Sequence, residues 1–283
     1  MKRVLVATDF STRSDRALRR ATLIAKAATA ELSLLHVLDE DLPERLIAAE
    51  RPVAEDLLAD LARTVRSVDG IACTATVRVG EPFEVIAGEA AARPADLVVI
   101  GPHRRKSLRD VFVGTTAERT ISRTPAPVLM ANGVPAKPYG RMAVATEFSA
   151  GSDAALAAAV RLGLVDPAAT AVVHVLDAPA EGLVSLAGGG ASRDEYVAEE
   201  EARAQADLAA FVGRHALAID DRRVRVNRSS ASAEILDVAK EAGADLLVLG
   251  REGRSALDRL VLGSVVGEVL RRAEMDVLVV PPR

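Results

Sequence analysis

The fold of this chain is decided by a short aliphatic run, Ala95-Asp96-Leu97-Val98-Val99-Ile100-Gly101, which returns as Ala244-Asp245-Leu246-Leu247-Val248-Leu249-Gly250. An earlier motif, Val6-Ala7-Thr8-Asp9-Phe10-Ser11, likewise returns as Val144-Ala145-Thr146-Glu147-Phe148-Ser149. Self-similarity of this kind indicates two copies of one structural unit. Four consecutive aliphatic residues before a glycine are typical of a strand buried on both faces, which favours a parallel sheet covered by helices.

The spacing between the copies predicts the domain organisation. The earlier motif repeats 138 positions later and the aliphatic run 149 positions later, so the second copy carries 11 extra residues. We place them near Gly188-Gly189-Gly190. The stretch 131–140 has the Pro and Gly content of a linker, with the boundary near residue 135. We therefore predict one domain at 1–134 and a second at 140–283.

Within each copy, short aliphatic runs alternate with stretches of helical periodicity. The first copy reads βαβαβαβαβ, which predicts a doubly wound α/β domain. Its predicted strands are 3–8, 32–37, 72–78, 96–100 and 127–130, and its predicted helices are 14–29, about 52–67, 83–92 and 114–122, with Ser14 as the N-cap of the first helix.

The composition argues against several classes of function. A formal charge of -4, a pI of about 5.7 and 2% aromatic residues argue against a nucleic-acid surface, and we expect no such partner. Cys73 is the only cysteine, so no internal disulfide and no cysteine-based metal site can form; we expect it in the core of a strand. No apolar run reaches the roughly 20 residues that a membrane span needs. Met1-Lys2-Arg3 leads directly into a strand, so we expect a cytoplasmic protein with no membrane partner.

The loops after strands 1 and 4 are the predicted ligand site. In a doubly wound sheet, ligands bind beyond the carboxyl ends of the strands where the strand order reverses. The second copy has Gly250, Gly253 and Gly263-Ser264 in the loop after strand 4. Glycines permit positive φ and close backbone approach, and the helix that starts at Gly263-Ser264 would attract a phosphate. The alternative is that these glycines only form a tight turn and cap a helix.

Two other phosphate motifs are absent from the sequence. No Gly-x-x-x-x-Gly-Lys-Ser/Thr follows strand 1, and no Gly-x-Gly-x-x-Gly opens the first helix of either copy. Ordinary P-loop NTPases and dehydrogenases are therefore disfavoured.

The spacing Gly-x2-Gly-x9-Gly-Ser in the second copy resembles the ATP-binding members of the universal stress protein family, and the resemblance covers nearly all 283 residues. It implies a Rossmann-like sheet of five parallel strands in each half, in the order 3-2-1-4-5. It also implies an ATP site, with or without Mg²⁺, in which the loop after strand 1 holds the adenosine and Val175 packs near the base. The matching residues are Ala145, Thr146, Glu147, Val175, Leu249, Gly250, Gly253, Gly263, Ser264 and Val265 in the second copy. A weaker site in the first copy comprises Ala7, Thr8, Asp9, Val37, Ile100, Gly101, Gly114, Thr115 and Thr116.

Each copy departs from the family pattern in its own way. The first copy has Arg104 in place of the second glycine, which would cost on the order of 1 kcal/mol if that position needs positive φ. Alternatively, Arg104-Arg105-Lys106 supplies positive charge to the same phosphates. The second copy keeps the glycines but has Glu147 where the family has Asp, one methylene longer. We therefore predict the better site in the second copy.

Other ionisable residues invite weaker hypotheses. His36 and His174 end strand 2 of each copy and are followed by Asp39 and Asp177, which is too small a set for a metal site; we favour a structural role. Asp96 and Asp245 are predicted to fix the start of a buried strand rather than to act in catalysis.

Three functions remain open from the sequence. The first is a cytoplasmic stress-response protein regulated by bound ATP, at most a weak ATPase and forming a homodimer or an intramolecular pseudo-dimer. The second is a scaffold of the same fold that binds no nucleotide and pairs through terminal strands such as Val277-Leu278-Val279-Val280. The third is an adenylating enzyme. The sequence disfavours it, because the Ser-Gly-Gly-x-Asp-Ser loop that such enzymes carry after strand 1 is absent.

Overall fold

A computed structural model describes residues 1–102, 116–164, 166–177, 193–251 and 262–282. The first half contains strands β1 (Arg3–Ala7), β2 (Glu31–Leu38), β3 (Cys73–Val79), β4 (Leu97–Ile100) and β5 (Val128–Met130), with helices α1 (Thr12–Ala28), α2 (Glu44–Thr64), α3 (Pro82–Ala92) and α4 (Thr116–Arg123). The second half contains strands β6 (Met142–Ala145), β7 (Thr170–Leu176), β8 (Asp221–Val226), β9 (Leu246–Gly250) and β10 (Asp276–Val280), with helices α5 (Ala150–Arg161), α6 (Arg193–Arg214), α7 (Ala231–Glu241) and α8 (Ser264–Arg272).

The ten strands form one sheet in the order β3-β2-β1-β4-β5-β10-β9-β6-β7-β8. Within each half all strand pairs are parallel, and the order 3-2-1-4-5 occurs twice, as the family resemblance implied. The halves join through antiparallel pairing of β5 with β10, where Leu129 lies opposite Leu278. The terminal strand proposed for pairing therefore pairs within the chain, where β10 joins the second half to β5 of the first.

The aliphatic run at 97–100 is buried on both faces of the sheet. Leu97 and Val99 belong to the core on one face of the sheet, Val98 and Ile100 to the core on the other, and all four are at most 5% exposed. Each of the two cores contains residues of both halves, so the hydrophobic interior is continuous across the junction. Cys73 is buried at the start of β3, as expected.

The start of the first helix differs from the prediction. Its N-cap is Ser11, whose Oγ accepts a hydrogen bond from the backbone N of Ser14. Ser14 lies in the first turn, because its own hydroxyl donates to Asp9 Oδ1 at 2.6 Å instead of capping the helix. The repeat preserves the helix cap, since Ser149 caps α5 and its side chain accepts from the backbone N of Ser152.

The second helix begins earlier than predicted. It starts at Glu44, and Pro52, which we took as its beginning, lies inside it. A proline inside a helix removes one backbone hydrogen bond and frees the carbonyl four residues before it. Here that carbonyl belongs to Ala48, which is exposed, so water can take the place of the missing donor.

Some predicted features lie outside the described residues, including the insertion near Gly188-Gly189-Gly190. In the part of the chain that the structure describes, no helix is long and apolar enough to cross a membrane.

Candidate functional site

The predicted site residues of each half meet at one edge of the sheet. β1 pairs with β4, so Thr8 and Asp9, which follow β1, lie beside Gly101, which follows β4. In the second half, β6 pairs with β9 in the same way and brings Thr146 and Glu147 beside Gly250. Two further predicted residues, Ala7 and Ala145, end β1 and β6, and Leu249 is the last but one residue of β9. Ile100 ends β4, and Val37 and Val175 lie half-buried near the ends of β2 and β7.

The first glycine of each loop is required by close packing rather than by the turn that the sequence suggested. Gly250 lies in β9 and does not have a positive φ. A Cβ at this position would lie 2.7 Å from the backbone carbonyl of Gly151 in the first turn of α5. A Cβ at Gly101 would lie 3.0 Å from the backbone of Arg13 in α1. The glycines thus let the start of a helix closely approach the end of a strand.

The loop after β1 is held by a hydrogen-bond network on Asp9. Asp9 Oδ1 accepts from the backbone N of Ser11 at 3.0 Å and from the hydroxyls of Ser11 and Ser14 at 2.5 and 2.6 Å. Burial raises the pKa of Asp9, but these hydrogen bonds and the nearby Arg13 outweigh it and the pKa is lowered. One oxygen of the Asp9 carboxylate is therefore committed to the start of α1.

Glu147, the counterpart of Asp9, is placed differently. Its backbone N donates to Ser152 Oγ at 3.1 Å, and Ser149 and Ser152 share a hydrogen bond of 3.3 Å between their hydroxyls. Among the described residues, nothing donates a hydrogen bond to the Glu147 carboxylate. The Glu147 carboxylate therefore does not take the place that Asp9 has in the first half, where two serine hydroxyls donate to it.

One phenylalanine after the first strand of each half has an unusual backbone conformation, which the sequence did not predict. Phe10 and Phe148 have φ of 58° and 61°, a left-handed conformation that is uncommon for a bulky residue and clusters at functional sites. Each ring packs on a histidine, Phe10 on His36 with ring centres 4.3 Å apart and Phe148 on His174 at 4.4 Å. The signal in the sequence was the repetition of Phe and His at equivalent positions in both copies.

The same histidines hold the backbone of the loop. Nδ1 of His36 lies 2.8 Å from the carbonyl oxygen of Thr8, and Nδ1 of His174 lies 2.8 Å from that of Thr146. This is the structural role that we favoured for them over metal binding. Within the described ranges, no three His, Cys, Asp or Glu side chains are grouped so as to hold a metal ion.

The second loop ends at the start of α8. Gly263 is the N-cap of this helix, and its φ of -56° is accessible to any residue. Gly263 has no side chain with which to cap the helix, and the first backbone N–H groups of a helix have no partner within it. Ser264 and Val265 supply those groups in the first turn, where an anion would be stabilised. In the first half, Thr116 begins α4. The predicted residues Gly114, Thr115, Arg104 and Gly253 lie outside the described residues.

The aspartates before the fourth strands fix the strand starts, as predicted. Asp96 Oδ2 accepts from the backbone N of Lys2 at 2.6 Å and of Arg3 at 3.1 Å. Burial raises the pKa of Asp96, but these hydrogen bonds and the N-terminal ammonium outweigh it, and the pKa is lowered. Asp245 accepts in the same way from the backbone N of Gly140 and Arg141.

Comparison with known proteins matches both halves. The model of the universal stress protein family fits residues 1–132 and again residues 138–281. Universal stress protein E of Salmonella typhi is 27% identical over 206 residues, which cover 71% of this chain and 65% of that protein. The chain thus matches slightly less than two thirds of this relative's length.

One further relative matches about half of the chain, and one solved structure matches almost all of it. A universal stress protein of Methanocaldococcus jannaschii is 24% identical over 151 residues, and 93% of it matches 46% of this chain. The crystal structure of a universal stress protein from Archaeoglobus fulgidus superposes with a TM-score of 0.72 at 19% identity, covering 99% of this chain and 96% of that one. The described architecture and both family matches lead to one conclusion: the chain is a tandem member of the universal stress protein family.

Proposed function

We propose that this protein binds ATP, best in its second domain, and acts in the stress response of the cytoplasm through nucleotide-dependent regulation. The observation that carries the proposal is the arrangement at the carboxyl end of the second domain's sheet. There α8 starts at a glycine, which has no side chain to cap it, and α5 closely approaches Gly250. The Glu147 carboxylate accepts no hydrogen bond from the described residues.

The two sides of this arrangement suit the two ends of a nucleotide. Backbone N–H groups in the first turn of α8 and the positive end of its dipole favour a phosphate chain. Glu147, at the other side, offers carboxylate oxygens that can accept hydrogen bonds from ribose hydroxyls. We assign the first domain the weaker site, because Arg104 replaces a glycine and one carboxylate oxygen of Asp9 already accepts hydrogen bonds within its own loop.

Binding is tested by titration calorimetry with ATP and ADP and by mass spectrometry of any ligand released from the purified protein. We expect about one ATP per chain. Gly253→Arg copies into the second domain the residue that the first domain carries, and we expect it to abolish most binding. Arg104→Gly is the matched variant, and we expect it to raise the stoichiometry toward two. Absence of binding tighter than millimolar for both nucleotides would contradict the proposal and favour the scaffold alternative.

Hydrolysis is tested separately. We propose at most a weak ATPase, because the Asp9 carboxylate, which accepts from the hydroxyls of Ser11 and Ser14, holds the start of α1, and the Glu147 carboxylate contacts no hydroxyl among the described residues. A turnover assay with and without Mg²⁺ measures it, and a rate typical of dedicated ATPases would contradict this assignment.

A further inference from the structure

Arg251 follows Gly250 directly and joins the two domains. Its side chain belongs to the second domain but donates from Nη1 to the carbonyl oxygens of Ile121 and Thr124 in the first, at 3.3 and 3.2 Å. The residue is 8% exposed. These carbonyls lie at the end of α4, where the negative end of the helix dipole stabilises a cation.

The backbone of Arg251 holds both ends of the second glycine loop, the segment between β9 and α8. Its N donates to the carbonyl of Val280 at 2.8 Å, and its carbonyl accepts from the backbone N of Gly263 at 3.4 Å. One residue therefore contacts the strand end, the start of α8 and the neighbouring domain. A ligand that displaces Gly263 would also displace the backbone of Arg251. Through the guanidinium of Arg251 it would then change the hydrogen bonds at the end of α4.

A second contact runs between the same two elements. Arg271, in the last turn of α8, lies 3.0 Å from Glu118 in the first turn of α4. The second glycine loop is therefore flanked on both sides by arginines that reach one helix of the other domain. That helix, α4, begins immediately after Gly114 and Thr115, the segment that would hold the phosphate of the first site.

These two arginines have no counterpart at the equivalent positions of the first domain. At the offset of 149 that relates the halves here, Pro102 stands where the second domain has Arg251, and Ser122 stands where it has Arg271. Neither residue carries a positive charge, so neither repeats the contact that Arg251 or Arg271 makes. The contacts of the described residues thus connect the start of α8 to helix α4 of the first domain.

We propose that Arg251 is a positioning residue that couples ligand binding at the start of α8 in the second domain to helix α4 of the first domain. This inference rests on the proposed ATP site. Occupancy of the second domain then changes the stability of α4 and, because coupling between two sites is reciprocal, the state of α4 changes the affinity of the second domain for its ligand.

Hydrogen–deuterium exchange of the full-length protein, with and without saturating ATP, tests the coupling. In the wild type we expect ATP to change exchange at the amides of residues 120–124 at least fivefold, the low end of typical allosteric couplings. In Arg251→Gln we expect that response to vanish, while calorimetry still detects ATP with affinity weakened less than about tenfold. Arg251→Lys keeps the charge but cannot span both carbonyls, so we expect a reduced response.

Arg20→Gln is the matched control, because Arg20 is equally buried and also crosses between domains, but at the amino end of β10. It should lower the melting temperature and leave the ATP response of residues 120–124 intact. An unchanged response in Arg251→Gln, or none in the wild type while calorimetry detects bound ATP, would overturn the coupling alone. Lack of ATP binding to the wild type would overturn the proposed function and this inference with it.

Discussion

Arg20 of α1 donates a hydrogen bond of 2.7 Å from Nε to the carboxylate of Asp276 at the start of β10, so a buried ion pair joins the two domains. The side chains are 6% and 1% exposed. Tyr139 donates to the same oxygen at 2.7 Å and the backbone N of Gly133 to the other at 2.8 Å. Burial, and then the Asp276 charge, raise the pKa of Tyr139 well above its usual value.

Asp276→Asn removes the only carboxylate shown to neutralise this buried guanidinium among the described residues. Breaking a buried pair by changing one partner costs about 3–5 kcal/mol, because the other charge stays buried without compensation. We expect a loss of that size in the free energy of unfolding, measured by urea denaturation. Glu31→Gln is the control: its pair with Arg3 is exposed, and exposed pairs contribute about 1 kcal/mol or less. Equal losses in both variants would contradict the assignment.

Gly250→Ala tests the close approach of α5 to β9. The added Cβ would lie 2.7 Å from backbone atoms of Gly151, so strand and helix must separate. Overpacking of this kind costs about 1–3 kcal/mol. In Gly263→Ala the nearest atom outside the chain neighbours is 3.4 Å away, and replacing a glycine N-cap by alanine costs about 1 kcal/mol or less. Urea denaturation should therefore rank Gly250→Ala as clearly the more destabilised; the reverse order would show that the glycine has another role.

The buried parallel strands and the two copies of one domain followed from the sequence because they depend on local patterns, whereas the strand order followed from the resemblance to the universal stress protein family. The aliphatic run 97–100 and the repeat of 6–11 at 144–149 were enough to predict buried parallel strands and two copies of one domain. The reason for Gly250 was not readable, because it lies in contact with Gly151, about a hundred residues earlier in the chain.

Contacts between the domains were also beyond the sequence. Arg251 and Arg20 looked like ordinary charged residues beside a motif and on a helix, and only the antiparallel junction of β5 with β10 brings them to buried partners. The same holds for Ser14, which suits an N-cap by residue type but donates to Asp9 in the folded loop. The preference of serine for the N-cap is overridden here by a hydrogen bond that forms only in the folded loop.

Asp9→Asn should change the dependence of stability on pH. The folded state lowers the pKa of Asp9 below the ordinary 3.8, so the unfolded chain binds this proton more tightly. The stabilisation is full above about pH 5 and is lost as the pH falls through the lowered pKa. We expect the variant to be less stable than wild type at pH 7 and the difference to shrink toward pH 2, as measured by urea denaturation at several pH values. Glu147→Gln, whose carboxylate accepts no hydrogen bond among the described residues, should keep wild-type stability at pH 7; a difference constant with pH in Asp9→Asn would contradict the network.

Cys73 provides a probe of unfolding within the native sequence. Burial at the start of β3 raises the pKa of its thiol from 9.0 to about 11, although the nearby Arg66 opposes the shift. Because the thiolate is the reactive form, about 100-fold less of it is present in the folded protein than in an exposed cysteine at pH 8. We expect reaction with a disulfide reagent such as Ellman's to be at least that much slower in buffer than in urea, and to accelerate across the same urea range as the loss of circular dichroism. Fast labelling in buffer would mean that β3, an edge strand of the sheet, opens without global unfolding, and would place the weakest part of the first domain there.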